Sequence, residues 1–179
     1  MNISSDSTTN KLILLYVLEK IEIPLSENSI LDICSSRNNW INYMECKEIL
    51  YQLKDVSFIY PLDQNESEAR YYLTMEGRDC LSNFYRRIPL QMREEIAEFT
   101  KQNRLAFKRS QEYLADYEKI DDGSYNLNMR IRSPFANEPM FQLEFRAPSR
   151  ESAINACKLW REKAPLIYES VYENLIEEE

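Results

Sequence analysis

Residues 72–81 read YLTMEGRDCL and predict a change from strand to helix. The aromatic and aliphatic residues before Thr74 favour an extended strand, and a threonine in this place can cap the helix that follows. Gly77 has no side chain, so neighbouring backbone and the new helix can approach each other closely. The stretch therefore predicts a strand that leaves a hairpin and enters a helix, which ends before Pro89.

A β-hairpin is predicted immediately before this stretch. Residues 57–62 and 70–74 are rich in aromatic and β-branched side chains, and a polar, acidic tip at residues 63–68 separates them. Pro61 is tolerated if its strand lies at a sheet edge, because proline donates no backbone hydrogen bond.

Two helices are predicted at the start of the chain. Residues 11–21 are densely apolar, which indicates a mostly buried helix that begins at a polar cap, Thr8 or Thr9. Ser26 can cap a second, short helix that reaches about Ser36.

A third helix is predicted to begin at Asn42, whose side chain can cap it. Glu45, three positions later, favours the positive end of the helix and can reach back toward the cap. The buried face is predicted from the helical spacing of Cys46, Ile49, Leu50 and Leu53. With that face inward, the residues that point outward are Met44, Lys47, Glu48 and Tyr51.

The predicted order of three helices, a hairpin and a helix is that of a winged helix-turn-helix. Residues 72–81 resemble the Leu-Thr-x-x-Gly-x-x-x-Leu signature, preceded by tyrosine, that closes the wing in many bacterial winged-helix regulators. Nearly the whole chain resembles a winged helix-turn-helix family of unknown function from Gram-positive anaerobes, domain-of-unknown-function family 4364. The shared features are NKLILLY at residues 10–16, Asn42-Tyr43, the Leu-Thr-x-x-Gly segment, Ala115-Asp116-Tyr117 and Trp160. The resemblance implies a winged-helix fold and no established activity.

The second half of the chain predicts a connector helix and then a sheet. Ile88-Pro89 opens a helix that ends near Asn103. Three alternating segments follow, and they predict an antiparallel meander with a turn at residues 121–123. The apolar face of each strand is, in order, Tyr113, Ala115 and Tyr117; Tyr125, Leu127, Met129 and Ile131; and Phe141, Leu143 and Phe145.

A long C-terminal helix is predicted to start at Ser149 and to cover one face of this sheet. Pro165 removes one backbone N–H from it, so we expect a kink at that point. The other sheet face needs a cover of its own, which favours a homodimer.

The predicted fold class is therefore α+β: an N-terminal winged helix-turn-helix, a connector helix, and a three-stranded antiparallel sheet covered by a long C-terminal helix. The corresponding domains are residues 1–88 for the winged helix, residues 89–109 for the connector and residues 110–179 for a dimerisation or sensing domain.

The composition argues against most enzyme classes. The chain has 179 residues, no histidine, two glycines and a formal net charge of −8. Glycine-rich phosphate loops, imidazole-based catalysis and zinc sites with histidine ligands are therefore excluded. We expect no enzymatic activity, no cofactor and no metal.

Cysteine usage and hydropathy indicate a cytoplasmic protein. Cys34, Cys46, Cys80 and Cys157 are scattered singly, which predicts buried, reduced thiols. No apolar run approaches the length of a membrane span, and the first ten residues lack the features of a signal peptide.

The outward face of the third helix is the predicted DNA contact surface, since this helix normally enters the major groove. The candidates are Asn42, Tyr43, Lys47 and Tyr51 on the helix, with Lys54 and Arg70 on phosphates. The alternative is that these residues are simply the solvated face of a surface helix.

Electrostatics oppose this prediction. The hairpin tip carries Asp63, Glu66 and Glu68 against Arg70 alone, so we expect it to be repelled by phosphates. A local cluster of cations could still attract DNA, or its members could form weak surface ion pairs. The candidates for that cluster are Lys11, Arg37, Lys47 and Lys54.

Three arginines are predicted on the sheet face that lies away from the helix: Arg130, Arg132 and Arg146. They could bind an anionic ligand or the carboxylates of a partner, or they could pair across strands with Glu112 and Glu144. Two alternatives to DNA binding thus stay open: a protein-binding module with a tyrosine-rich surface, and a sensor whose small-molecule effector is unknown.

Overall fold

The chain folds into two compact units, Met1–Phe107 and Lys108–Glu179. The computed structural model describes residues 7–62, 69–133 and 138–176. The fold is α+β, with N-terminal helices around a small antiparallel sheet, and a later antiparallel sheet packed against a long C-terminal helix.

The N-terminal unit consists of helices built around a three-stranded sheet. Its elements are α1 (Ser7–Ile21), β1 (Leu25–Ser26), α2 (Glu27–Leu31), a π-helical stretch (Asp32–Arg37), α3 (Tyr43–Asp55), β2 (Ile59–Pro61), β3 (Arg70–Leu73), α4 (Met75–Phe84), a 3-10 turn (Tyr85–Arg87) and most of α5 (Leu90–Glu112), whose last five residues belong to the second unit. The antiparallel strand order is β1-β3-β2, so Pro61 lies on an edge strand as predicted. The core is centred on α1, in which Leu14 and Val17 are fully buried.

Four predicted N-caps are confirmed, each by a side-chain oxygen that accepts a hydrogen bond from a backbone N–H of the first turn. The bonds are Ser29 N–H to Ser26 Oγ (3.2 Å), Met44 N–H to Asn42 Oδ1 (3.0 Å), Gly77 N–H to Thr74 Oγ1 (3.1 Å) and Ser152 N–H to Ser149 Oγ (3.1 Å). These residues begin α2, α3, α4 and the C-terminal helix, because each one satisfies a donor that the helix itself leaves open.

The predicted cap of the first helix is wrong. Helix α1 begins at Ser7, so that Thr8 and Thr9 lie inside its first turn. The N–H groups of a first turn have no intrahelical acceptor, and threonine is therefore tolerated there as well as at the cap.

The connector helix is longer than predicted. It continues past Asn103 to Glu112. Phe107 explains the extension, since its side chain is buried and its ring centroid lies 6.4 Å from that of Phe99. The burial of an aromatic side chain stabilises the added turns more than local propensity does.

The C-terminal unit is the predicted meander with its covering helix. The strands β4 (Tyr113–Lys119), β5 (Tyr125–Arg132) and β6 (Pro139–Ala147) pair antiparallel in the order β4-β5-β6, and α6 spans Arg150–Leu175. Trp160 of α6 is buried against the apolar sheet face, and its indole N–H donates to the Arg130 carbonyl at 3.3 Å. Pro165 lies inside α6, and the kink there stays a prediction.

Across the described residues, none of the helices combines the length and the apolar character that spanning a bilayer requires.

Candidate nucleic-acid interface

Helix α3 presents one face to the core and the other to solvent. Its predicted inner face is confirmed, because Cys46, Ile49, Leu50 and Leu53 are buried. The outer face is exposed as predicted and consists of Asn42, Tyr43, Met44, Lys47, Glu48 and Tyr51. Its large side chains are well exposed: Met44 at 71%, Tyr51 at 69% and Tyr43 at 48%.

A polar contact ties α3 to α1. The side-chain amide of Asn10, which is buried, donates from Nδ2 to Glu45 Oε1 at 2.7 Å. The prediction that Glu45 reaches back to its own helix cap is therefore wrong. Glu45 accepts from Asn10 instead because a buried amide needs a hydrogen-bond partner, whereas the N–H of the cap residue lies at an exposed helix end and can bind water.

A pair of thiols ties α3 to the π-helical stretch. Cys34 and Cys46 are both fully buried. The Cys34 thiol donates a hydrogen bond to the Cys46 sulfur, which raises the pKa of Cys34 well above its usual value and lowers that of Cys46. The π-helical stretch and α3 are thus held together by buried contacts, and the exposed face of α3 has a defined orientation.

Lys47 lies at the centre of the exposed face and has an acidic neighbour. Its Nζ is 3.7 Å from Glu27 Oε1, and about half of each side chain is exposed. The predicted weak ion pair is confirmed, and pairs of this kind contribute roughly 0–1 kcal/mol. Lys47 can therefore exchange this partner for a phosphate at little cost.

Two predicted phosphate contacts are placed differently by the fold. Lys54 is half buried, with its Nζ 5.4 Å from the ring centroid of Tyr71. Arg70 lies on the central strand β3 opposite Ser26 and is only 4% exposed. This burial argues against a phosphate contact by Arg70, which stays a prediction, because a side chain enclosed on a central strand has little reach toward a duplex.

The other cations of the predicted cluster have neighbours of their own. The Arg37 guanidinium binds Asp32 at 2.6 Å and lies 5.2 Å from the Phe107 ring centroid. Lys11 lies at a cavity beside the C-terminal end of α3. Asp63, Glu66 and Glu68 of the predicted acidic tip lie outside the described residues.

The small sheet carries an exposed aromatic pair that was not predicted from the sequence. Tyr60 and Tyr72 face each other across β2 and β3, with ring centroids 6.0 Å apart in an edge-to-face arrangement. Their alternation with buried Ile59 and Tyr71 is the period-two signal that could have identified them.

On the larger sheet, the arginines have carboxylate partners other than the predicted ones. Arg130 binds Asp116 at 2.5 Å, and Arg146 binds Asp122 at 3.0 Å. Asp122 has a lowered pKa, chiefly because the Ser124 hydroxyl and N–H donate to it and secondarily because Arg146 is near.

Neither of the predicted carboxylate partners, Glu112 and Glu144, is the ion-pair partner of Arg130 or Arg146. Glu144 accepts from Gln142 at 2.8 Å, and Glu112 is the buried last residue of α5 rather than part of the sheet. Arg132, the third arginine, is half buried at the end of β5.

The fold and these surfaces define a protein of two α+β units, the first of which exposes one face of a capped, well-anchored helix. The chain belongs to the family described as domain of unknown function DUF4364, whose model matches residues 10–175. Neither the curated proteins nor the solved structures contain a significant match to the sequence.

Proposed function

We propose that the N-terminal unit is a winged helix-turn-helix domain that binds double-stranded DNA as part of a transcriptional regulator. The observation that carries the proposal is the exposed face of α3, which is anchored from behind by buried contacts and follows a short helix in helix-turn-helix order. In winged-helix proteins this third helix enters the major groove. The protein acts by binding rather than by catalysis.

The contacts come from the N-cap residue of α3 and three residues of the helix itself. Asn42 keeps its Nδ2 free of the cap, because the cap bond uses Oδ1. Tyr43, Lys47 and Tyr51 lie on the same exposed face and can reach phosphates or base edges. Lys54 contributes only at the margin, since its ammonium lies over Tyr71.

The affinity is expected to be modest and strongly dependent on salt. Glu48 shares the face, and the chain carries a net charge of −8. If three phosphates are contacted, the association constant falls roughly as the third power of salt concentration.

Fluorescence anisotropy with a labelled duplex tests the proposal at salt concentrations from about 50 to 200 mM. Lys47→Glu should weaken binding at least several-fold. It should also reduce the slope of log K against log salt concentration by about one, the contribution of one phosphate contact. Lys47→Glu, Lys54→Glu should abolish binding. Lys119→Glu is the matched control, because it makes the same change of charge at an exposed position of β4. Absence of binding by the unaltered protein at the lowest salt would show that the proposal is wrong.

A protein-binding module is the second candidate, and the exposed Tyr60–Tyr72 pair favours it. Tyrosine is enriched at protein interfaces, and Met75, three positions after Tyr72, is 70% exposed. Tyr60→Ser should then reduce capture of one reproducible protein partner from lysate without any effect on DNA affinity.

A ligand sensor on the larger sheet has less support, because Arg130 and Arg146 already have carboxylate partners. Arg130→Ala and Arg146→Ala would have to remove a bound anion for that function to hold.

The regulator is proposed to act as a homodimer. The helix α6 exposes Leu159 (45%) and Leu166 (58%), which are seven residues apart and therefore lie on one stripe of the helix. A second copy of the chain can bury that stripe in a parallel or antiparallel helix pair.

A further inference from the structure

The N-terminal unit contains a cavity whose lining includes one of the proposed DNA contacts, Tyr51. Its volume is about 590 Å³, and its walls come from α1, the C-terminal end of α3, the segment after α3, and α4. The surface of the lining is mainly apolar, and the apolar side chains that contribute to it are Leu12, Leu15, Leu53, Val56, Phe58 and Phe84. This size and this lining are typical of sites for small ligands.

The charges at the cavity differ in sign from the rest of the chain. Among the described residues that line it are two cations, Lys11 and Arg87, and one acid, Asp55, in a protein whose net charge is −8. Lys11 is half buried on α1 and has no ion-pair partner among residues 7–62, 69–133 and 138–176. A cation of that kind beside an apolar cavity is complementary to a ligand with an apolar body and one negative charge.

We propose that this cavity binds a small amphipathic carboxylate. The apolar part of the ligand packs between α1 and α4 against Leu15 and Phe84, and the carboxylate binds the Lys11 ammonium. The proposal does not rest on DNA binding by α3, because Lys11, Leu15 and Phe84 are not among the proposed DNA contacts, although Tyr51 belongs to both sets.

Calorimetric titration of the full chain with decanoate tests the proposal, with decanol and decyltrimethylammonium as neutral and cationic probes of the same chain length. We expect one decanoate per chain and at least about tenfold weaker binding of the two other probes, because only the carboxylate forms a charge-assisted hydrogen bond.

Two variants locate the binding. Lys11→Gln should weaken decanoate binding about tenfold and leave decanol unaffected. Val56→Glu places a second acid in the lining at a position that is 53% exposed, so the fold tolerates it, and it should repel decanoate while Val56→Gln does not. Lys119→Gln is the control for a change of charge elsewhere.

Three outcomes would overturn the proposal. Equal affinity for decanoate and decanol would mean that the cavity does not recognise an anion. Decanoate binding that is indifferent to both Lys11→Gln and Val56→Glu would place the ligand elsewhere. A loss of self-association in Val56→Glu, without binding of any probe to the unaltered protein, would identify a second copy of the chain as the occupant.

Discussion

Thr74 and Gly77 together set the way in which β3 passes into α4. The Thr74 hydroxyl donates to the Ser57 and Phe58 carbonyls at 2.8 and 3.0 Å while it accepts from the Gly77 N–H. A Cβ on Gly77 would lie 2.3 Å from the Phe58 carbonyl oxygen. A threonine and a glycine three residues apart thus let the start of α4 pack directly against the backbone of residues 57 and 58.

Gly77→Ala is therefore expected to destabilise the N-terminal unit by about 1–3 kcal/mol, because backbone rather than a flexible side chain must move. Urea unfolding can be followed through Trp40, which packs against Phe99 in that core, in a Trp160→Phe background. Ser82→Ala on the exposed face of α4 is the control and should change stability by less than about 0.5 kcal/mol. An unaltered midpoint for Gly77→Ala would contradict the close approach.

The four cysteines differ in accessibility and in acidity. Cys34 and Cys46 are buried, whereas Cys80 and Cys157 are partly exposed. Burial, and secondly the nearby Asp116 carboxylate, raises the pKa of Cys157. A raised pKa leaves less thiolate at neutral pH, and the thiolate is the reactive form.

Titration of the native protein with a thiol-reactive disulfide should therefore modify Cys80 and Cys157 first, and the other two only after unfolding. In the Cys80→Ser variant, the rate at which the reagent modifies Cys157 should keep rising with pH above the ordinary thiol pKa of about 8.5, because the pKa of Cys157 is raised. Simultaneous modification of all four thiols without denaturant would show that the buried pair is accessible.

At the scale of elements, α3 depends on its start as much as on its buried face. Asn42 caps it, and the Asn10–Glu45 bond orients it from the core side. The cap was predictable from local sequence because its geometry involves neighbouring residues only. The Asn10–Glu45 bond was not, since its partners are 35 positions apart and meet only in the folded unit.

Asn42→Ala should destabilise the N-terminal unit by about 1 kcal/mol, whereas Asn42→Asp should retain the stability because aspartate caps equally well. The two variants separate folding from binding. If α3 contacts DNA, Asn42→Asp should weaken binding, as it adds a negative charge near phosphate. Urea titration and anisotropy measure the two effects. Equal destabilisation by both substitutions would mean that the cap bond does not support the helix.

The same contrast holds for α5 and β1. The length of α5 depends on the burial of Phe107 in a core formed by residues far away in the sequence. The two residues of β1 form a strand only because they pair with Tyr71 and Arg70. No local pattern specifies either feature. The strands β4, β5 and β6 were predictable because their side chains alternate in polarity over seven to nine residues.

At the scale of the whole molecule, each unit has its own apolar core with one of the two tryptophans in or against it. The exposed leucines of α6 belong to neither core. Their stripe is the surface that we assign to self-association.

Sedimentation velocity should therefore give a species of twice the 21.4 kDa chain mass, and Leu159→Glu, Leu166→Glu should convert it to the monomer. A glutamate in an apolar interface stays unpaired and costs several kcal/mol. Leu105→Glu is the control, as Leu105 is an equally exposed leucine on α5. A mass of 21.4 kDa for the unaltered protein at micromolar concentration would exclude the dimer.

The sequence by itself determined the class of fold, the four confirmed helix caps, the close approach at Gly77 and the exposed face of α3. All of these follow from interactions between residues near one another in the chain or from the periodicity of burial. Only the tertiary structure decided that Arg70 is enclosed, that Glu45 binds Asn10, and that Lys11 borders an apolar cavity with Phe84. The physical reason is that a charged side chain takes its partner from whatever the fold brings near it, and that neighbour is not encoded in the local sequence.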